Sequence, residues 1–267
     1  MDIGLMLILL AMGAGGGFAA GLLGIGGGMV LVPFITMIFT AKGFPPELVV
    51  HMAIATSLAT IMFTSLSSVR AHHRHGAVRW RIVALLAPGI AAGAMLGPWI
   101  GKQMNTCAQS LLFSAFVAFS AVQMLRSRHL SAGRELPGTP GMIAAGGVIG
   151  TMAGLVGAGG GFISVPFMAW CNVRIHQAVA TSAALGFPIA LFGTVSNIYV
   201  GWAAPGLPAH SLGFVYLPAL LVIAAASVTM APLGARLAHK MDVASLKRVF
   251  AVVLFALAAY MFYHALA

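Results

Sequence analysis

Charged side chains are scarce in this 267-residue chain, and long apolar runs separate the few that occur. Lys, Arg, Asp and Glu make up 7% of the residues, against about 25% in an ordinary soluble domain. A soluble fold of this length needs more polar surface than that composition supplies. The sequence therefore predicts an all-α polytopic membrane protein embedded in a lipid bilayer. It excludes water-soluble enzymes, and a nucleic-acid partner is not expected because the basic residues lie in short loops beside apolar runs.

Two of the apolar segments are too short to cross a bilayer, which takes about 20 helical residues. They are Met29–Thr40 and Phe162–Cys171, and each directly follows a run of glycines. We interpret each as a half-helix that returns from a helical hairpin whose glycine tip stops inside the membrane. The other predicted segments are Ile3–Leu23, Glu47–Val69, Trp80–Ile100, Ala108–Leu125, Gly141–Val156, Ile175–Val200, Phe214–Leu233 and Leu246–Ala265.

The glycine runs belong to an internal repeat. The run Gly21–Gly28 recurs as Gly154–Gly161, and Val32-Pro33-Phe34 recurs at the same spacing as Val165-Pro166-Phe167. We therefore predict a first membrane repeat over residues 1–130, a cytoplasmic linker over 131–140 and a second repeat over 141–267. Further shared positions are His51, Thr56 and Ser57, which recur as His176, Thr181 and Ser182.

The number of crossings predicts that the two repeats are inverted. A hairpin returns to its own side of the membrane, and the three spans that follow it in each repeat are an odd number. Under this scheme all of the 14 Lys and Arg residues except Lys42 and Lys102 fall on one side. The positive-inside rule makes that side cytoplasmic and puts both termini outside. Inverted repeats with interrupted helices are typical of secondary transporters, which bind substrate where the repeats meet.

The chain resembles the sulfite exporter TauE/SafE family, also called the 4-toluene sulfonate uptake permease family. The resemblance covers nearly the whole chain and implies transport of a sulfur-containing anion or a related organic acid across a bacterial inner membrane. The residues on which the resemblance rests are Gly24-Ile25-Gly26-Gly27-Gly28 with Val32-Pro33, the loop from His73 to Trp80, and Gly157-Ala158-Gly159-Gly160-Gly161 with Val165-Pro166.

The glycine tips are the first candidate binding groups for a small anionic substrate. The first turn of a helix has free N–H groups and about half a positive charge from the helix dipole, and glycine lets an anion approach the backbone. Tight helix crossing is the alternative role, and it applies to the glycines with four-residue spacing in the other segments. The candidate residues are Gly26, Gly27, Gly28, Met29, Gly159, Gly160, Gly161 and Phe162.

Hydroxyl and imidazole groups near the tips are the second set of candidates. Thr56, Ser57, Thr181 and Ser182 could donate to an anion, although such hydroxyls in membrane helices also bond to a carbonyl one turn back. His51 and His176 are candidates for gating or proton coupling, since histidine changes charge near neutral pH. They could instead simply solvate the helix ends.

No cofactor or metal ion is expected. The run His72-His73-Arg74-His75 has no carboxylate or thiolate near it in sequence, and its arginine repels cations. Local signatures of hydrolases, zinc peptidases and dithiol oxidoreductases are absent from the sequence. We therefore expect a transporter and not an enzyme. The alternatives are a small-anion channel and, less favoured, an intramembrane enzyme that uses the histidine-rich loop.

The positions of the acidic residues favour export. Asp2, Glu47, Glu135 and Asp242 all fall at a terminus or in a predicted connecting loop. Transporters driven by protons or sodium commonly use buried carboxylates for coupling. An anion that leaves an inside-negative cell needs no coupling ion, because the membrane potential already drives it outward.

Overall fold

A computed structural model describes residues 3–24, 27–125, 135–238 and 243–266 of the chain, which form ten helices and one two-stranded hairpin. Seven of the described helices are long and apolar enough to cross a membrane, which confirms the all-α polytopic prediction. In chain order the elements are α1 (Ile3–Leu23), α2 (Gly28–Ala41), α3 (Pro46–Arg74), α4 (Trp80–Lys102), α5 (Thr106–Leu125), α6 (Thr139–Val156), α7 (Gly161–Trp170), α8 (Ile175–Gly201), β1 (Ser211–Leu212), β2 (Val215–Tyr216), α9 (Leu217–Ala238) and α10 (Val243–Leu266).

The two short apolar segments form short helices, as the sequence predicts. Helix α2 has 14 residues and α7 has 10. At about 1.5 Å per residue they extend roughly 21 Å and 15 Å, less than the roughly 30 Å hydrocarbon core of a bilayer. Each begins directly after a glycine tip, at Gly28 and at Gly161.

Helices α3 and α9 differ from the sequence prediction by several residues. Helix α3 continues past Val69 to Arg74, so part of the predicted histidine-rich loop is helical. The segment predicted to start at Phe214 instead contains a hairpin in which Ser211 pairs with Tyr216, and α9 begins only at Leu217. Hydropathy could not separate a hairpin from a helix here, because Phe214 is apolar and buried although it lies in the hairpin.

Helix α3 lies at the centre of the molecule. Every described side chain from Val49 to Ile61 is buried, so this part of the helix is covered on all sides. It runs antiparallel to α8, with Ser65 facing Gly186 and Leu58 facing Gly193. A helix that is apolar all round and fully covered is typical of the core of a membrane bundle.

Glycine stripes bring two further helix pairs into backbone contact. A Cβ atom on Gly21 of α1 would overlap the carbonyl oxygen of Ala231 in α9. In the same way, a Cβ on Gly89 of α4 would overlap the carbonyl oxygen of Ile143 in α6. These contacts confirm that glycines with four-residue spacing serve tight helix crossings.

The helix contacts are exchanged between the two halves of the chain. If α1–α5 are matched in order with α6–α10, the α1–α9 pair is equivalent to the α6–α4 pair, and α3–α9 is equivalent to α8–α4. The pairs α3–α8 and α5–α10 each join a helix to its own equivalent. A twofold relation between the halves would produce this pattern.

Candidate functional site

The glycine tips are shaped by four residues with positive φ. Gly24 and Gly27 have φ values of 66° and 70°, and Gly157 and Gly160 both have 73°. Side chains other than glycine are disfavoured in this region, so these positions need glycine whatever else they do. Gly24 and Gly157 end α1 and α6, since their N–H groups bond to the carbonyls of Ala20 and Ala153 at 3.0 and 2.9 Å.

The two tips contact each other and their own hairpins. A Cβ atom on Gly28 would overlap the carbonyl oxygen of Gly157, and one on Gly27 would overlap that of Gly16 in α1. Protein atoms thus fill the space beside these glycines in this conformation. Anion binding by the tip residues stays a prediction, and one candidate, Gly26, lies outside the described residues. The remaining candidates Met29, Gly159, Gly161 and Phe162 are all buried.

One serine binds each tip to the opposite half of the chain. Ser57 of α3 donates to the carbonyl oxygen of Gly157 at 3.0 Å, and Ser182 of α8 donates to that of Gly24 at 2.9 Å. Ser182 also accepts a hydrogen bond from Ser164 of α7 at 2.8 Å. These bonds satisfy tip carbonyls that no helix partner reaches.

Two threonines make the corresponding contacts with the starts of α4 and α9. Thr56 accepts a hydrogen bond from the Tyr216 N–H at 3.1 Å, and Thr181 accepts one from the Arg79 N–H at 3.0 Å. Tyr216 directly precedes α9, and Arg79 directly precedes α4. Each threonine therefore fixes the entry of a helix from the other half.

The Thr-Ser pairs do not meet at one point in this conformation. Because α3 and α8 are antiparallel with Ser65 beside Gly186, Thr181 lies level with about position 70 of α3. That is about 14 residues from Thr56, or roughly 21 Å along the helix. A single small anion cannot contact both threonines there, and substrate binding by Thr56, Ser57, Thr181 and Ser182 remains a prediction.

Different side chains close the two ends of this arrangement. Tyr216 lies edge-on to the rings of Phe39 and Phe44, with centroid distances of 5.4 and 5.2 Å. At the other end, the Arg79 guanidinium donates two hydrogen bonds to the Gln177 side-chain oxygen, at 3.0 and 2.9 Å. One end is thus closed by packing of aromatic rings. The other end is closed by the hydrogen bonds between the Arg79 guanidinium and the neutral side-chain amide of Gln177.

We expect loss of either threonine hydroxyl to destabilise the fold. Thr56→Val and Thr181→Val leave the N–H of Tyr216 or Arg79 without its acceptor, which costs about 1–3 kcal/mol of unfolding free energy per site. Thermal unfolding of the purified variants measures this loss. Thr36→Val is the matched control, because the buried Thr36 hydroxyl only bonds to the Val32 carbonyl one turn back. Equal losses in all three variants would contradict the assignment.

The two candidate histidines have different environments. His51 is buried, its Nε2 lies 3.1 Å from the Gly101 carbonyl oxygen, and its ring packs on Phe214. His176 is exposed in the first turn of α8. His51 therefore links α3 to the end of α4, and gating or proton coupling by either histidine remains a prediction.

In the histidine-rich run, His72 is buried with its Nε2 3.0 Å from the Gly21 carbonyl oxygen.

A small hydroxyl-lined pocket lies beside the first tip. Its cavity volume is about 10 Å³, room for about one water molecule. The Ser68 hydroxyl is buried there with no hydrogen-bond partner within the described part of the chain. A buried polar atom without a partner commonly marks a site for water or a ligand. The pocket is lined by Ala20, Gly24, Ser65, Ser68, Ser182, Ala183 and Gly186.

Ser65 and Ser68 were not among the residues predicted from the sequence. Their spacing of three residues places both on the face of α3 that meets the tip. The internal repeat does not point to them. At the offset that relates Thr56 to Thr181, the equivalent positions in α8 are Ala190 and Gly193, which have no hydroxyl. Serines at these two positions therefore occur in only one half of the chain.

Comparison with known proteins agrees with this architecture. The profile described as Sulfite exporter TauE/SafE matches residues 9–261. A probable membrane transporter protein of Haemophilus influenzae is 36% identical over 259 residues, which cover 96% of this chain and 98% of that protein. The probable membrane transporter protein YunE of Bacillus subtilis is 30% identical over 215 residues, covering 73% of this chain and 79% of that protein. No solved structure matches the chain.

The match extends over almost every described helix and includes both glycine tips. The resemblance seen in the sequence is therefore confirmed. The chain belongs to the sulfite exporter TauE/SafE family of membrane transporters.

Proposed function

We propose that the protein exports a small sulfur-containing anion, such as sulfite, a sulfonate or sulfoacetate, across the bacterial inner membrane. The pocket beside the first tip carries this proposal. It combines the hydroxyls of Ser65, Ser68 and Ser182 with the backbone of Gly24, between α1, α3 and α8. The family description adds sulfite as the first anion to test.

The chemistry of the pocket suits an oxyanion. Serine hydroxyls donate to an anion without the desolvation cost of bringing a lysine or arginine into the membrane. The unpartnered Ser68 hydroxyl has a donor available. The Ser65 and Ser182 hydroxyls already donate to the carbonyls of Met62 and Gly24, so each must leave that bond to donate to an anion. Because the cavity is far smaller than a sulfur oxyanion, loading requires the helices around the tip to separate.

The proposed export cycle uses an inverted pair of repeats, 1–130 and 141–267, joined by a cytoplasmic linker at 131–140. The exchanged contacts of α1–α9 and α4–α6 support a twofold relation. The distribution of basic residues supports termini outside the cell. In this orientation Arg79 and Gln177 close the cytoplasmic end, and Phe39, Phe44 and Tyr216 close the outer end.

Cysteine labelling tests the orientation, and the native cysteines help. Cys107 is exposed at the start of α5, whereas Cys171 is buried. We expect an impermeant maleimide to label Cys107 on intact spheroplasts, because the α4–α5 loop faces outward in this arrangement. In a Cys107→Ser background, Asn105→Cys should label from outside and Val173→Cys only after the membrane is opened. If Asn105→Cys and Val173→Cys label from the same side, the inversion is wrong.

Flux measurements test the direction and its driving force. Of the four acidic residues, only Glu47 lies in a described helix, in the first turn of α3. We therefore expect no ion coupling, and an inside-negative potential should contribute about 2.3 kcal/mol per charge per 100 mV to outward movement. In proteoliposomes loaded with sulfite and clamped with valinomycin, efflux should speed up as the interior becomes more negative. Efflux that ignores the potential and collapses with the pH gradient would instead implicate proton coupling through His51 or His176.

A further inference from the structure

A second pocket lies between the ends of α3 and α9, and it is lined mainly by basic side chains. Its cavity volume is about 120 Å³, room for several water molecules and therefore for a tetrahedral oxyanion. It is separate from the serine pocket, with which it shares no residue. Its lining residues are Ser67, Arg70, Ala71, Arg74, His75, Pro232 and Arg236.

The arginines converge although their charges repel. Arg70 and Arg74 are four residues apart on α3 and so lie on the same face, an arrangement that destabilises a helix when both are cationic. Arg236 of α9 faces them across the pocket. The C-terminal ends of α3 and α9 offset about one unit of positive charge between them, which leaves an excess of about two.

The described carboxylates do not lie where they could neutralise this excess. Glu47 is in the first turn of α3, 23 residues before Arg70, which corresponds to about 35 Å along the helix. Glu135 precedes α6 and is not among the residues that line the pocket. Asp2 and Asp242 lie outside the described residues.

The pocket has a fixed wall. Pro232 has no N–H, so the carbonyl of Val228 one turn earlier in α9 lacks its helical partner. The Ser67 hydroxyl donates to that carbonyl at 2.8 Å and ties α3 to α9 beneath the arginines. The arginines therefore project from two helices whose spacing is set by a hydrogen bond.

The surroundings place the pocket at a membrane boundary. Phe63 and Leu66 are exposed on α3 and are followed on the same face by Arg70, and the exposed Leu233 of α9 neighbours Pro232. Exposed apolar side chains that give way to arginine along a helix face mark the level of the lipid headgroups. Basic pockets between membrane helices at this level bind phosphate-bearing headgroups.

We propose that this pocket binds a phosphate-type oxyanion through Arg70, Arg74 and Arg236. Guanidinium groups bind phosphate oxygens through paired, charge-assisted hydrogen bonds, and the negative charge of the phosphate would offset the excess positive charge of the three arginines. Two sources offer this chemistry: the headgroup of an anionic phospholipid and free phosphate.

The experiment compares both sources on the same purified protein. Native mass spectrometry measures the binding of phosphatidylglycerol, with zwitterionic phosphatidylcholine as the reference lipid, and a separate titration uses inorganic phosphate. The test variants are Arg70→Gln and Arg236→Gln. Arg81→Gln is the matched control, because Arg81 is an exposed arginine in the first turn of α4, outside the pocket.

We expect the wild-type protein and Arg81→Gln to bind one of the two phosphate probes, and Arg70→Gln and Arg236→Gln to bind it about tenfold more weakly or worse. Selective binding of phosphatidylglycerol identifies the lipid as the source, and binding of inorganic phosphate alone identifies the free ion. Equal binding by all variants, or binding of neither probe, overturns the proposal.

Discussion

Gly89→Ala should cost the protein most of its folded yield. The added Cβ would overlap the Ile143 carbonyl oxygen of α6, and this atom belongs to a helix backbone that cannot rotate away. Overpacking a well-fitted interior costs about 1–3 kcal/mol, and more where backbones must separate. The α9–α1 pair is equivalent to the α4–α6 pair in the exchanged contacts. Gly21→Ala should therefore lose folded yield in the same way, because its Cβ would overlap the Ala231 carbonyl oxygen.

The control for this prediction lies in the same interface. Gly147 of α6 is also a helical glycine, but a Cβ there would have only the Gly89 carbonyl oxygen nearby, at 3.9 Å. Gly147→Ala should therefore unfold at the wild-type temperature, or slightly above it because alanine favours helix. The measurement is the yield of monodisperse protein together with its thermal unfolding midpoint. Equal behaviour of Gly89→Ala and Gly147→Ala would contradict the close helix crossing.

Ser68→Ala should lower transport about tenfold or more while leaving the fold intact. A hydrogen bond to a charged group is worth about 1.5–3 kcal/mol, so losing one donor to the anion weakens transport by at least that factor. The fold loses nothing, because the Ser68 hydroxyl has no partner among the described residues. The two readouts are sulfite flux in proteoliposomes and the thermal unfolding midpoint of the same preparation.

Ser110→Ala separates a site effect from the loss of a buried hydroxyl. Ser110 of α5 is also fully buried, and its hydroxyl likewise has no partner in the described ranges. It does not line the serine pocket. We expect wild-type flux from Ser110→Ala. Wild-type flux from Ser68→Ala as well would remove Ser68 from the site.

The fold was largely predictable because membrane helices can be identified in a sequence by their length and hydropathy. The short helices α2 and α7 were also predictable, since each follows a glycine run and neither is long enough to cross. The glycine stripes of α1 and α4 were readable for a similar reason: four-residue spacing places small residues on one face of a helix.

The partners of the Thr-Ser pairs could not be read from the sequence. Ser57 and Gly157 are 100 positions apart, and Thr56 and Tyr216 are 160 apart. Local reasoning offers each hydroxyl only a carbonyl one turn back or a substrate, and it cannot supply a backbone group from the other half. The structural contacts of these residues therefore emerge only from the packed molecule.

The serine pocket escaped prediction for the opposite reason. Positions shared by both repeats identify candidate residues in the sequence, and Ser65 and Ser68 are not shared. A transporter whose two sides differ in function needs such asymmetric positions. Searching the repeat for polar residues that one copy lacks would have found both serines.

Counterflow of radiolabelled sulfite in proteoliposomes tests the central claim most directly. We propose that the protein binds a small sulfur-containing anion in the serine pocket and moves it by alternating access. Unlabelled sulfite inside the vesicles should therefore accelerate and transiently concentrate labelled sulfite, with saturation, and sulfonate or sulfoacetate should compete whereas zwitterionic taurine should not. Non-saturating flux without counterflow would indicate a channel, and exchange of lactate in the absence of any sulfite exchange would contradict the proposed substrate class.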